Sequence, residues 1–158
     1  MPILQPIDKS LLRDTITVFN PFFTASDRDM PPEYKGLYTP TIIKDCYFAT
    51  KSKRIFSDNG TQIFNTFSVY ADMANSLFSK SLVSEADFKL APVDKQEDTF
   101  FCFQKGMLVI PGEHEIFSSS KLDLDRSALE KQGYKLLEVN FVNPAFNFGE
   151  ILFYHIGG

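Results

Sequence analysis

The fold is decided near the N-terminus by Arg13-Asp14-Thr15-Ile16-Thr17-Val18-Phe19-Asn20, which alternates polar and apolar residues and stops before Pro21. Successive side chains of a β-strand point to opposite sides, so this alternation is typical of a strand with one buried face. We predict a first strand over Asp14–Asn20 with its isoleucine and valine buried and its threonines on a polar face. Pro21 lacks a backbone N–H and is expected to end the strand.

The composition favours one mainly β domain. The chain has 158 residues, with 17 Phe, 6 Tyr and no Trp. That length can bury a core of its own, and aromatic residues favour pleated, half-buried surfaces. The same abundance of Phe would also suit a subunit interface. The net charge of −4 argues against a broad nucleic-acid-binding surface. The same charge is compatible with an acidic surface that lines a channel for DNA without binding it.

Cysteine usage and hydropathy give an expectation for location. Cys46 and Cys102 have no CxxC partner and no nearby histidine, so we expect buried free thiols in strands, with a disulfide between them left open. The start of the chain lacks the pattern of a signal peptide, and no stretch approaches the ~20 apolar residues of a membrane span. The protein is expected in the cytoplasm, or in a particle assembled there, and not in a membrane.

Turn-forming residues divide the chain into further short strands. Asn59-Gly60 between extended residues predicts a tight hairpin that returns over Gln62–Ala71. Apolar runs predict the other strands, which are Thr41–Phe48, Thr99–Phe103, Met107–Ile110, Tyr134–Val142 and Phe148–Ile156, with Asn143-Pro144-Ala145 as the last connection. Some six to seven strands at this spacing predict a small β-barrel or sandwich.

One short helix is predicted beside the strands. Leu124–Gln132 has candidate N-caps in Asp123 and Asp125, and Gly133 follows it where a left-handed residue is favoured. A single helical turn over Ser84–Leu90 is a weaker candidate.

Residues 1–10 are interpreted as an N-terminal arm and residues 11–158 as a single β-barrel-like domain. The loop Phe22–Pro40 is expected to wrap a neighbour or the sheet edge.

No residues have the spacing of a catalytic or metal site. Glu113, His114 and Glu115 would not all face one ion in an extended chain, and His155 is far away in sequence, whereas a catalytic zinc usually has three protein ligands. No G-x-S-x-G motif and no glycine-rich phosphate loop occur. We therefore predict no enzyme activity, no metal and no cofactor.

Lys51, Lys53 and Arg54 form the one compact basic cluster, just before the Asn59-Gly60 turn. One interpretation is a solvated hairpin. The other is a loop that meets phosphates or an acidic partner.

The first strand, Asp14-Thr15-Ile16-Thr17-Val18-Phe19-Asn20, resembles the D-T-I-T-V-Y-N opening of small minor capsid proteins of long-tailed phages and prophages of Gram-positive hosts. Later segments follow in the order of that family, namely Thr41–Cys46, Phe67–Tyr70, Lys105–Glu113 and Gly149–Gly157. The order is also similar to that of head-closure, or stopper, proteins, which are small β-barrels stacked as rings.

The resemblance implies a structural virion protein of the phage neck, a head-tail connector that completes or closes the head. It implies a homo-oligomeric ring between the portal or adaptor protein and the tail terminator or other tail proteins. Genomic DNA would pass through it without sequence-specific binding, and residues 49–60, with Lys51, Lys53 and Arg54, would face the channel. The alternatives are a tail terminator or other tail-associated virion protein, a host interaction or immunity protein, and a small enzyme or ligand-binding barrel.

Overall fold

The computed structural model describes residues 8–58 and 60–158. Its strands are β1 (Asp14–Pro21), β2 (Tyr38–Ser57), β3 (Gly60–Asp72), β4 (Leu77–Phe78), β5 (Ser81–Leu82), β6 (Phe100–Phe101), β7 (Leu108–Pro111), β8 (Leu137–Glu138), β9 (Phe141–Asn147) and β10 (Glu150–Gly157). Its α-helices are α1 (Glu85–Leu90), α2 (Val93–Asp98) and α3 (Arg126–Lys131), and 3-10 turns lie at Lys9–Leu11, Asp27–Asp29 and Glu115–Phe117.

Seven strands form one curled antiparallel sheet, a half-barrel, in the order β8-β7-β1-β2-β3-β10-β9. β4 pairs with β2, and β5 and β6 form a separate parallel pair. Strands hold 44% of the residues and helices 18%, which confirms the predicted mainly β class. α1 confirms the helical turn predicted over Ser84–Leu90, with Ser84 as its N-cap. α2 was not predicted, because its sequence has no clear helix signal.

The sheet curls at β2, which changes its partner halfway along. Its residues up to Cys46 pair with β1, and those from Tyr47 to Ser57 pair with β3. At the change the register with β1 shifts near Asp14, and Asp45 takes a positive φ of 54°. An extra residue in one strand of a pair bends that strand and increases its twist. This bulge therefore turns the sheet from the β1 side towards the β3 side.

β1 is buried on both faces, so the predicted polar face is wrong. Ile16 and Val18 belong to the main core inside the half-barrel, whereas Phe19 belongs to a second cluster that includes Leu129 of α3. Thr17 is only 2% exposed, and its hydroxyl donates to the Gly112 carbonyl at 2.8 Å. Thr17 and Phe19 share one face of β1, and the second cluster, with Phe117 and Leu129, covers the face that alternation alone would leave to solvent.

The loop between β1 and β2 contacts the α1–α2 segment of its own chain. Gln96 of α2 is fully buried, and its side-chain oxygen accepts from the Phe23 N–H at 2.9 Å. Its amide nitrogen donates to the carbonyls of Phe23, Phe88 and Ala91. These contacts hold the loop against its own domain.

The last hairpin also corrects the sequence prediction. Asn143-Pro144-Ala145 lies inside β9, where Pro144 pairs with Tyr154, and the connection is Phe148-Gly149. β9 is an edge strand, and proline is tolerated there because its missing N–H need not face a partner strand. The predicted strand Tyr134–Val142 is divided between β8 and the start of β9.

The helix prediction near residue 125 is confirmed in place and in its caps. Asp125 is the N-cap of α3, and its carboxylate accepts from the Ala128 N–H at 3.2 Å. Gly133 follows with a φ of 92°. A glycine in this left-handed conformation is the usual end of a helix.

Candidate interaction surfaces

The hairpin of β2 and β3 extends beyond the core as an arm, which we define as residues 50–66. Phe67, at 5% exposure, is the last buried residue before it, and strand pairing continues to Ser57 and Gly60. The eight residues from Thr50 to Ser57 span about 26 Å at ~3.3 Å per residue. The predicted two-stranded hairpin is therefore present and longer than expected, while Asn59 in its turn lies outside the described residues.

The three predicted basic residues lie along β2 of the arm. Lys51 and Arg54 are exposed, and three positions apart in a strand they point to opposite faces. Lys53 pairs with Phe64 through the backbone, and its side chain lies outside the described part of the chain. The basic residues are thus spread along the arm and do not form one patch. Phe56 on the same strand is 78% exposed, which the sequence analysis did not predict.

A second surface lies on the outer face of the sheet, where one row of paired residues crosses four strands. The row consists of Tyr47, Tyr70, His155 and Asn143. The rings of Tyr70 and His155 stack at 4.2 Å with 8° between their planes, and Phe141 meets His155 edge-on at 4.9 Å. Burial lowers the pKa of His155, which favours the neutral ring in this stack.

A groove of about 480 Å³ lies beside this row. Its lining residues are Tyr47, Ala49, Lys51, Thr66, Phe67, Ser68, Tyr70, Asn140, Phe141 and Gly158, and we call it the outer groove. Small residues make the depression, because the paired positions next to the aromatic row are Ala49, Ser68 and Gly157. A Cβ on Gly157 would clash with the Phe67 carbonyl and the Phe141 ring, so Phe141 lies this close only over glycine.

The opposite end of the β9–β10 hairpin carries exposed phenylalanines. Phe148 is 85% exposed and Phe146 is 53% exposed. Phe148 and Gly149 have φ values of 52° and 82°, as in a type I′ turn, for which Asn-Gly is the favoured sequence. A side chain such as Phe in the left-handed region costs ~1–2 kcal/mol. The hairpin therefore presents this ring at its tip against a local backbone preference.

The groups considered for chemistry in the sequence are not brought together. Cys46 and Cys102 are free and buried, and burial raises the pKa of both thiols to about 12, which keeps them protonated at neutral pH. Cys102 follows β6 rather than lying in a strand. His114 Nε2 lies 3.0 Å from the Pro111 carbonyl oxygen, and the ring packs edge-on against Tyr134. Within residues 8–58 and 60–158, His, Cys, Asp and Glu form no group of three that could hold a metal ion.

No family model matches the chain, and comparisons with curated proteins and with solved structures find no match either. The resemblance to phage connector proteins therefore stays a prediction. Among the described residues, none of the helices has the length and hydropathy needed to span a membrane.

Proposed function

We propose that this protein is a ring-forming structural component of the neck of a long-tailed phage or prophage particle. In this proposal it lies between the portal or adaptor protein and the tail, in a virion assembled in the host cytoplasm, and helps to pass or retain the genome. The proposal gives the chain no catalytic role and no cofactor.

The arm is the observation that carries the proposal. A two-stranded hairpin is marginally stable alone, and every side chain described between Thr50 and Thr66 is exposed. The described side chains of the arm are therefore accessible to another molecule. In a closed ring, arms that point inwards would meet at the axis and could touch whatever passes through it.

The charge distribution supports the same orientation. The chain has a net charge of −4, yet the arm carries Lys51, Lys53 and Arg54. Exposed cations within a Debye length of a phosphate backbone, about 8 Å at physiological salt, attract it without reading its sequence. An acidic body with a few basic residues on a projecting arm would bind DNA only weakly, so that the DNA could still move through the ring.

The test is to replace Lys53 and Arg54 by Gln in the phage or prophage that encodes the protein. We expect particles to assemble with normal amounts of the protein and to lose packaged DNA faster on dilution or heating. The matched control replaces Lys105 and Lys131, which are both exposed on the body of the domain, by Gln, and it should behave as the wild type. Lys51 is left in place because it also lines the outer groove.

Two results would contradict the proposal. One is the absence of the protein from purified particles. The other is unchanged genome retention and infectivity in the arm variant, which would remove the role in DNA retention. A sixfold ring at the tail would place the protein with tail terminators instead.

A further inference from the structure

We propose that the chain binds a second copy of itself head to tail, with the Phe148 tip of one copy seated in the outer groove of the next. This inference names the subunit contact of the proposed ring and in that sense rests on the proposed function.

The position of the two surfaces excludes a contact within one chain. Phe148 lies at one end of the β9–β10 hairpin, whereas Phe141 and Gly158, which line the groove, lie at the other end. The seven residues of β9 separate them by about 23 Å at ~3.3 Å per residue. A projection and a complementary groove on different parts of one surface make a heterologous contact, and such contacts produce rings when the rotation closes.

The chemistry of the two surfaces is complementary. The groove is bounded by Tyr47, Tyr70 and Phe141, so an aromatic ring entering it would meet aromatic edges and faces. Lys51 lies at the groove and is exposed, and Glu150 lies two residues after Phe148 and is exposed. Neither forms an ion pair within the described part of the chain. A tip that carries Phe and Glu thus meets a groove that carries aromatic residues and Lys.

The strained turn gives an independent reason to assign a contact to the tip. Asn at position 148 would relieve the positive φ and complete the favoured Asn-Gly turn. A folding role alone would therefore be served better by Asn than by Phe. Backbone strain that a single substitution would relieve is typical of a residue with a role in an interaction.

The first experiment captures the contact by disulfide formation between two single variants, Asn147→Cys and Ala49→Cys, one of them carrying a mass tag; Asn147 lies next to Phe148 at the end of β9, so the docking ring stays in place. The purified proteins are mixed and oxidised briefly with copper phenanthroline. Cys46 and Cys102 are buried and do not compete. A matched control mixes Ala49→Cys with Leu90→Cys, because Leu90 on α1 is 85% exposed. We expect roughly tenfold more tagged–untagged dimer in the first mixture, because docking raises the effective concentration of the two thiols.

Disulfide formation traps transient as well as stable contacts. Equal yields of tagged–untagged dimer in the two mixtures, or no such dimer in either, would therefore overturn the proposal. The second experiment compares Phe148→Asn with Leu90→Asn. We expect Phe148→Asn to unfold at the same or a higher urea concentration than the wild type and to self-associate at least about tenfold more weakly, by light scattering or in assembled necks. Leu90→Asn should leave association unchanged.

The outcome separates this contact from the function proposed above. If Phe148→Asn forms rings and enters particles like the wild type, the contact is wrong and the neck assignment stands. If the cysteine pair is captured but the protein is absent from particles, the contact stands and the neck assignment is wrong.

Discussion

Replacing Gln96 by Leu should destabilise the domain strongly, although leucine has a similar size and is less polar. The Gln96 side chain is fully buried and joins the β1–β2 loop to α1 and α2 through four hydrogen bonds. Three backbone groups depend on it: the N–H and the carbonyl of Phe23 and the carbonyl of Ala91. The Phe88 carbonyl still accepts from the Ala91 N–H at 3.2 Å.

The expected cost follows from these three orphaned groups. A buried polar group without a partner costs about 1–3 kcal/mol. Phe23 and Ala91 lie near the surface and would recover some water contact, so we take the low end, about 3 kcal/mol in total. In a domain of this size 1 kcal/mol shifts the melting temperature by roughly 2–4 °C, so the variant should melt about 6–12 °C lower.

Urea unfolding followed by circular dichroism, together with a thermal melt, measures this directly. Gln132→Leu is the matched control, because Gln132 is exposed at the end of α3 and should change stability by less than about 0.5 kcal/mol. A Gln96→Leu variant as stable as that control would refute the view that this amide holds the loop to the helices.

Three further outcomes follow from the same structure. Gly157→Ala should destabilise by more than about 2 kcal/mol in urea unfolding, because its Cβ would clash with the rigid Phe67 carbonyl; a neutral effect would show that the strands can separate there. Burial lowers the pKa of Lys80 to about 8 from 10.5, so the folded state holds fewer protons than the unfolded state between these values. The free energy of unfolding of the wild type, relative to Lys80→Met, should therefore rise as the pH rises from about 8 to 10.5, and a flat difference would contradict the burial of this amine. Cys46 and Cys102 should resist a thiol reagent at pH 8 until urea unfolds the chain, and rapid labelling of the native protein would contradict their burial.

The alternation over residues 13–20 predicted a strand, and the strand is there, but it did not predict which neighbours cover it. Thr17 was assigned to a polar face because alternation reports the chemistry of a side chain and not its surroundings. In the structure its hydroxyl is satisfied by the Gly112 carbonyl, 95 residues away. Contacts of that range depend on the whole fold, and the sequence around residue 17 holds no sign of them.

Turns were predicted well where the local chemistry follows the backbone and wrongly where it does not. The Asp125 cap has the residue that its conformation favours, so it was found. The hairpin predicted from Asn59-Gly60 is also present, since strand pairing runs up to Ser57 and Gly60. Phe148-Gly149 has a residue that its conformation disfavours, so the turn was placed at Asn143-Pro144-Ala145 instead. The failure is informative, since it occurs at the residue to which we assign a contact between copies.

Of the two candidate surfaces, the sequence predicted part of the arm and nothing of the outer groove. The basic residues of the arm are visible in the sequence as a cluster, although their division between two faces is not. The outer groove brings together residues from β2, β3, the start of β9 and the C-terminus, and their alignment depends on the strand register. A single sequence contains no pattern that fixes this register across four strands.

The most direct test of the account is a cryo-electron microscopy map of the neck of the particle that this chain is proposed to build. The account predicts a closed ring of this chain between the portal or adaptor protein and the tail, with the arms, residues 50–66, pointing to the channel. It also predicts that each Phe148 tip lies in the outer groove of the neighbouring copy. A neck without this chain, or a ring whose arms point away from the channel, would contradict it.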